Sequence, residues 1–555
     1  MNSKIKFFLF ALIASFVLFG TTIGGDFTLD DHSIVETRPE LKNILNMPRL
    51  WLMPWHPNGE FAGNYRPLTL ASYAINYLFS NHPAGFHILN IIIHAANVTL
   101  VYYLVLRFAS RRVALLSAGL FLFLPIHVEP IASIAGRNGL LGMVFILVAL
   151  ILLFDRRYFW SAIAFLAALF STDSAIGFLP LAGLMLTIEK KDFWLACKTG
   201  LWFVPSTILY FFFRYLALGK YAFGNFGFID PIIVPLAFVS AKERVLTAFV
   251  HVFLYIRKTI LPYDLSPDYS FNQIPIIHGW FDSWEAWVGI AVFLGALYLL
   301  WRGERTLKIA ILLWLVPMLV ISNLIFISSG TMAERWWYMP SLGLVVLAAL
   351  GIDALLLRLP SLRKPLIIAG ATTAVVFAGV IIHQNRAWAN DTVLFRTAVA
   401  RSPQSAWART SLAAQYVAEK RFDLAREELK ISLDIAPKNP LALFLAGKLA
   451  WHEKRFAESE VLFLQAIVED TQDRNKRSFY RVLALLNLDQ GKNRESLEYM
   501  EQALAFEPRG DTETVFRIDE ALLTLVKKYQ GRNSRTYTQT EINEIGSMII
   551  MLRQF

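Results

Sequence analysis

Residues 5–24, IKFFLFALIASFVLFGTTIG, are apolar almost throughout and carry one charge, Lys6. An α-helix needs about 20 such residues to cross the hydrocarbon core of a bilayer. The segment follows Lys4 but lacks a clear small-residue cleavage site, and more apolar runs follow it. It therefore reads as a retained first helix rather than a removed leader. The other candidate spans are 86–107, 113–126, 139–154, 158–171, 175–188, 193–213, 284–301, 307–327, 341–357 and 365–383. Two further apolar stretches, 67–79 and 232–260, either span, re-enter or lie flat at the interface. The expectation is an all-α polytopic body of about 11 spans over residues 1–384.

Composition agrees. The 555-residue chain is 55% hydrophobic and 17% charged, with mean hydropathy +0.46; soluble domains carry nearer 25% charge. The excess stops near Asn385, after which charges are dense and no run is long enough to span. The net charge of +10 is no sign of nucleic-acid binding. Its surplus sits in short clusters between spans: Lys4 and Lys6; Arg107, Arg111 and Arg112; Arg156 and Arg157; Lys190 and Lys191; Arg302 and Arg305; Arg358, Arg363 and Lys364. Counting alternate loops puts all of them on one side, the cytoplasmic one by the positive-inside rule. The N-terminus is then inside and the C-terminus outside. With Cys197 as the single cysteine, no intrachain disulfide can form.

Past a linker at 385–403 the chain repeats itself. Arg421-Phe422 recurs as Arg455-Phe456, and Ala425 corresponds to Ser459 and then Ser496. Spacings of 34 and then 37 residues, small residues at crossings and a proline at unit ends fit tetratricopeptide units at 404–437, 438–474 and 475–508. Capping helices are expected at 511–529 and 540–553, making 404–555 an α-solenoid domain. Such units bury their apolar faces by stacking. They present a groove for a peptide or protein partner, or serve stability and self-association.

The non-cytoplasmic loops hold the residues with chemistry. After the first span comes GGDFTLDDHSIVETRP, with the acidic pair Asp30-Asp31. Two adjacent carboxylates can divide labour, one accepting a proton and the other holding a donor or metal; either can also cap a helix. Tyr65-Arg66-Pro67 opens the next apolar stretch. Pro67 suits a first helical turn, leaving Arg66 as a guanidinium at a helix start, suited to phosphate or to snorkelling. His127 and Glu129 are two apart and would not share a helix face, so a metal pair is weakly supported. Arg137 follows in AGRN; Glu334, Arg335 and Tyr338 lie in AERWWYMPS; Asp268 and Tyr269 lie in LSPDYS, most of which a turn explains. No nucleotide or nucleophile-elbow motif occurs, so energy for a reaction must come from an activated, lipid-borne substrate or from a gradient.

The order of these motifs matters: the acidic pair, YRPL, the His- and Asn-rich helix with His87, Asn90, His94 and Asn97, PIHVEPIA, AGRNGLLG, LSPDYS, AERWWYMPS and the repeats. In that order the chain resembles the transmembrane-and-tetratricopeptide-repeat protein O-mannosyltransferases and their bacterial relatives, within the GT-C superfamily. The resemblance implies a GT-C-like membrane body with an external active site, a sugar donor on polyprenyl phosphate, and a Ser or Thr hydroxyl of a protein as acceptor. It implies a base in the first external loop, here Asp30 with Asp31 second, and inversion at the anomeric carbon. Arg66, Arg137 and Arg335 are the external-side candidates for the cations that meet the leaving phosphate. Tyr65, His127, Glu129, Asp268, Tyr269, Glu334 and Tyr338 are the other donor- or substrate-binding candidates. A divalent ion is used by some members of the superfamily and stays open here. The corresponding location is a bacterial inner membrane with periplasmic repeats. One departure is Ser171-Thr172-Asp173-Ser174, where many members carry a Lys-Glu-Ser-like stretch. Two alternatives stand beside this reading: a non-catalytic repeat scaffold for envelope complexes, and a transferase acting on lipid or glycan acceptors.

Overall fold

The computed structural model describes residues 3–57, 63–190, 192–223, 230–473 and 475–506. They form two compact units that divide between Ser402 and Pro403. Both are helical, with no strand among the described residues.

In the first unit, each of the eleven expected stretches holds a helix, though 307–327 is helical only as far as Ile321 and 113–126 breaks after Leu122. Among the described residues, seven helices are long and apolar enough to cross a membrane: Lys4–Gly24, Pro83–Val105, Arg137–Phe154, Phe193–Phe223, Trp284–Arg302, Ser341–Arg358 and Pro360–Trp388. The pair Arg111–Leu122 and Pro125–Ala132 bends by 58° at its break and makes an eighth if counted as one span. Others, such as Tyr158–Ser171, are apolar but shorter. The chain is a multi-pass membrane protein. Of the two ambiguous stretches, 67–79 holds the Pro67–Tyr77 helix and 232–260 holds Ala241–Ile260.

Lipid-facing and protein-facing positions separate clearly. Ile367, Ile368, Val375 and Val376 of the last span are exposed, whereas Ile309–Leu313 of the Arg305–Ile321 helix are buried. Small residues let helices meet backbone to backbone. A Cβ on Gly343 would stand 2.2 Å from the backbone nitrogen of Trp314, so only glycine permits that crossing. The segment expected as a linker holds a turn at Arg386–Trp388 and a helix at Asp391–Arg401, and all of it but Pro403 falls within the first unit.

Among the described residues, the second unit holds three helix hairpins: Ala406–Ala418 with Phe422–Ile435, Pro440–His452 with Phe456–Glu469, and Lys476–Asp489 with Asn493–Leu504. Each turns through a residue with positive φ, Lys420 at 60°, Lys454 at 60° and Gly491 at 74°. These turns reproduce the 34- and 37-residue spacings of the sequence. The small residues Ala425, Ser459 and Ser496 are fully buried. Ser459 Oγ donates to Gly447 O at 2.8 Å and Ser496 Oγ to Ala484 O at 2.7 Å, tying the two helices of a hairpin together in the same way. The expected capping helices at 511–529 and 540–553, and the end of the third unit past 506, lie outside the described residues.

Candidate active site

The loop after the first span is organised by Asp31. Its side chain is completely buried. Oδ2 accepts from Thr28 N at 3.1 Å and Ile134 N at 3.2 Å; Oδ1 accepts from Ala135 N at 2.6 Å. The Thr28 and Ser133 hydroxyls add 3.3 and 3.4 Å contacts. Residues 133–136 can offer those amides because the chain turns sharply after the short Val128–Ala132 helix. A Cβ on Gly136 would lie 2.4 Å from Pro130 O, so glycine is required there. Burial pushes the Asp31 carboxyl up to about 6, against the lowering effect of its backbone donors.

Asp30 is different. It is half-exposed, and among the described residues its carboxylate accepts no hydrogen bond. Its neighbours are cationic or polar. His56 is pushed down to about 4, chiefly by burial; Asp30 opposes that shift while Arg66, Arg38 and Arg335 reinforce it. His56 therefore marks a point on which one carboxylate and three guanidinium groups act.

Two of those arginines are held with a face open to solvent. Arg335 donates through its backbone N to Glu129 Oε2 at 2.9 Å and through Nη1 to Oε1 at 2.5 Å. Glu129 is buried, but the Arg335 side chain keeps 38% of its surface. Burial disfavours the Arg335 charge, yet Glu129 and then Asp30 outweigh it and hold the group above its usual range. Arg66 sits at the N-terminus of the Pro67–Tyr77 helix. Its Nε donates to Asp173 Oδ2 at 2.9 Å and its guanidinium lies 5.0 Å above the Trp55 ring. Asp173 also takes the Tyr210 hydroxyl at 2.9 Å and pairs with Arg214. Burial would raise the Asp173 carboxyl, but the two arginines keep it below its ordinary value. Two guanidinium groups on one carboxylate leave a positive balance, the arrangement that suits an oxyanion or phosphate.

The remaining sequence candidates lie inside the body, some of them packed against this cluster. Arg137 is fully buried. It donates to Asn90 Oδ1 at 2.8 Å, Asn76 Oδ1 at 3.0 Å, Phe86 O at 3.0 Å and Ser72 O at 3.4 Å, and stacks 4.6 Å from Tyr73. These bonds tie the Pro67–Tyr77 and Pro83–Val105 helices together. His127 and Tyr338 are interior too: His127 Nε2 lies 2.9 Å from Ser341 Oγ, and Tyr338 Oη lies 2.7 Å from His94 Nδ1. Tyr65 is buried, with its hydroxyl on Trp51 O at 2.7 Å and its amide on Asp173 at 3.3 Å. Asp268, Tyr269 and Glu334 form a neighbouring group. Asp268 holds its own turn through Ser270 N at 3.0 Å, and the Tyr269 hydroxyl donates to Glu334 Oε1 at 2.6 Å. Burial and then Glu129 hold the Glu334 carboxyl above its usual range.

Arg214 and His56 were not among the sequence candidates. Arg214 carried a usable signal, a charge inside the apolar Val204–Leu218 helix, where ionisable residues tend to be functional. His56 carried none. Among the described residues, no group of three or more His, Cys, Asp or Glu side chains is placed to hold a metal ion.

The chain is 25% identical over 447 residues to protein O-mannosyl-transferase TMTC3 of Mus musculus, a match covering 73% of this chain and 48% of that protein. It is 24% identical over 364 residues to protein O-mannosyl-transferase F38B6.6 of Caenorhabditis elegans, covering 63% and 51%. Against TMTC4 of Homo sapiens it is 24% identical over 471 residues, covering 70% and 61%. The chain is a relative of the TMTC protein O-mannosyl-transferases. It spans about half the length of the curated relatives it matches. No family model matches it.

Proposed function

We propose that this chain is a membrane glycosyltransferase of the GT-C type that moves mannose from a polyprenyl-phosphate donor to a Ser or Thr hydroxyl of a protein, with inversion. The observation that carries the reading is the split of the acidic pair: Asp31 is occupied by backbone donors, while the Asp30 carboxylate stands uncommitted beside His56 and Arg335. The names of the relatives supply the sugar and the protein acceptor.

In this reading the acceptor oxygen attacks the anomeric carbon as its proton passes to the Asp30 carboxylate. The bond from that carbon to the phosphate oxygen breaks, and its electron pair leaves on the lipid phosphate. Arg335 and Arg66 face the growing negative charge, and Glu129 and Asp173 fix their guanidinium groups beforehand, so little reorganisation is needed at the moment of transfer. Arg214 adds to the same field. A single displacement at that carbon inverts it. The repeat unit, expected on the same external side, would hold the acceptor polypeptide.

The test is reconstitution. The full chain in lipid nanodiscs is given polyprenyl-phosphate mannose and a Thr-rich peptide, and the peptide is analysed by mass spectrometry. O-linked mannose on threonine is expected. Mannose appearing only on a lipid or glycan acceptor, or no transfer at all, would sink the reading.

A further inference from the structure

The turn that presents Asp30 is gripped from an unexpected place. Leu29 has φ 51°, in the left-handed region. A residue other than glycine pays roughly 1 kcal/mol or more there and stays only where its surroundings over-determine it. The Leu29 amide donates to Asp391 Oδ1 at 3.0 Å, and the other oxygen of the same carboxylate lies 3.0 Å from His32 Nε2. One side chain thus holds the backbone before Asp30 and the side chain after Asp31. Two residues earlier, Ala389 O accepts from Asp26 N at 2.9 Å. Asn385 Nδ2, at the end of the last span, donates to Leu18 O at 2.8 Å and Thr21 Oγ1 at 2.9 Å. On its inner side the turn is fastened by Asp31.

We propose that residues 389–391 form a strap that sets the position of Asp30, with Asp391 as its positioning residue. The proposal rests on the reading of Asp30 as the base. An aspartate in the first turn of the Asp391–Arg401 helix also suits the helix dipole. That role alone would not account for both carboxylate oxygens lying on the first external loop. The cap of this helix is already supplied by Asn390, whose Oδ1 accepts from Val393 N at 3.0 Å. His32 is further held by Glu36 Oε2 at 2.5 Å. Its hydrogen bond to Asp391, with a further one to Glu36, outweighs the effect of burial and raises the imidazole to about 9. Asp391 touches no reacting atom. Its effect is on where Asp30 points, and a displacement of about 1 Å at a reacting group can cost on the order of a hundredfold in rate.

The experiment uses the full chain in nanodiscs with polyprenyl-phosphate mannose and a Thr-rich peptide. Asp391→Ala is expected to lower kcat about tenfold or more, with donor KM within about twofold of the unsubstituted chain. Adding Leu29→Gly should restore much of that loss, because glycine adopts positive φ without a clamp. Unchanged kcat in Asp391→Ala, or a defect carried by donor KM that Leu29→Gly does not relieve, would overturn the proposal. If the alanine variant does not fold, His32→Gln carries the test: a kcat lower by about threefold with an unchanged unfolding midpoint is expected, and wild-type kcat refutes the strap. Asp30→Asn, run in parallel, separates the two ideas. An active Asp30→Asn removes the base itself, whereas an inactive one beside a fully active Asp391→Ala removes only the strap.

Discussion

Replacing Arg137 with methionine discriminates between an arginine that binds substrate and one that holds the body together. The substitution keeps a long, flexible side chain and deletes the guanidinium. Two buried amide oxygens, Asn90 Oδ1 and Asn76 Oδ1, then lose donors that stand at 2.8 and 3.0 Å, while Phe86 O keeps its partner within its own helix. At roughly 1–3 kcal/mol for each orphaned buried group, partly offset by no longer burying a charge, the expected loss is about 3 kcal/mol. Loss of the stack on Tyr73, at 4.6 Å, adds to it. That is a large share of the stability of an ordinary fold. The readouts are folded yield and unfolding midpoint in nanodiscs, together with donor KM for whatever folds. Arg137→Met should fall in midpoint and yield while the surviving fraction keeps its donor KM. Arg335→Met also strips buried Glu129 of its ion pair and should lower the midpoint as well, but its folded fraction should lose kcat/KM, which the folded fraction of Arg137→Met keeps. An Arg137→Met protein that is as stable as the parent but binds donor poorly would refute the assignment.

Other outcomes follow from the same geometry. Asp31 has a folded-state pKa of about 6, above its ordinary 3.8. The stability linked to it is therefore fully present below pH ~4 and lost as pH rises through ~6, by up to about 3 kcal/mol; thermal unfolding in the Asp31→Asn protein should lack this slope between those values. Arg214→Met should raise donor KM several-fold with kcat less affected, because Asp173 then neutralises Arg66 instead of sharing two cations; an unchanged KM removes Arg214 from the donor site. Gly343→Ala puts a methyl 2.2 Å from the Trp314 backbone nitrogen, and the forced separation of two packed helices should cost about 1–3 kcal/mol in unfolding experiments.

The bilayer makes part of this fold easy to read. A helix that must satisfy its backbone in lipid announces itself as a long apolar run, which is why each of the eleven stretches holds a helix. The repeats were legible because each hairpin turns at a fixed place, Lys420, Lys454 and Gly491. Span number was less so: the bend between Arg111–Leu122 and Pro125–Ala132 depends on packing that no apolar count reveals. The site was legible as a list and not as roles. Arg137 and Arg335 both follow conspicuous motifs, and only burial separates the brace from the exposed cation. Asp30 and Asp31 are neighbours, yet the second is bound by amides about a hundred residues away. Asp391 lies on a segment that looked like a linker, and its grip on Leu29 is a contact between distant parts of the chain that local pattern cannot express.

The proposed transfer depends on Asp30. Its most direct test is the initial rate of mannose transfer to the Thr-rich peptide by Asp30→Asn, measured on protein whose unfolding midpoint matches the parent. That match is expected because the Asp30 carboxylate accepts no hydrogen bond among the described residues. Loss of a general base should lower turnover on the order of a hundredfold or more. Turnover within about threefold of the parent would contradict the central claim.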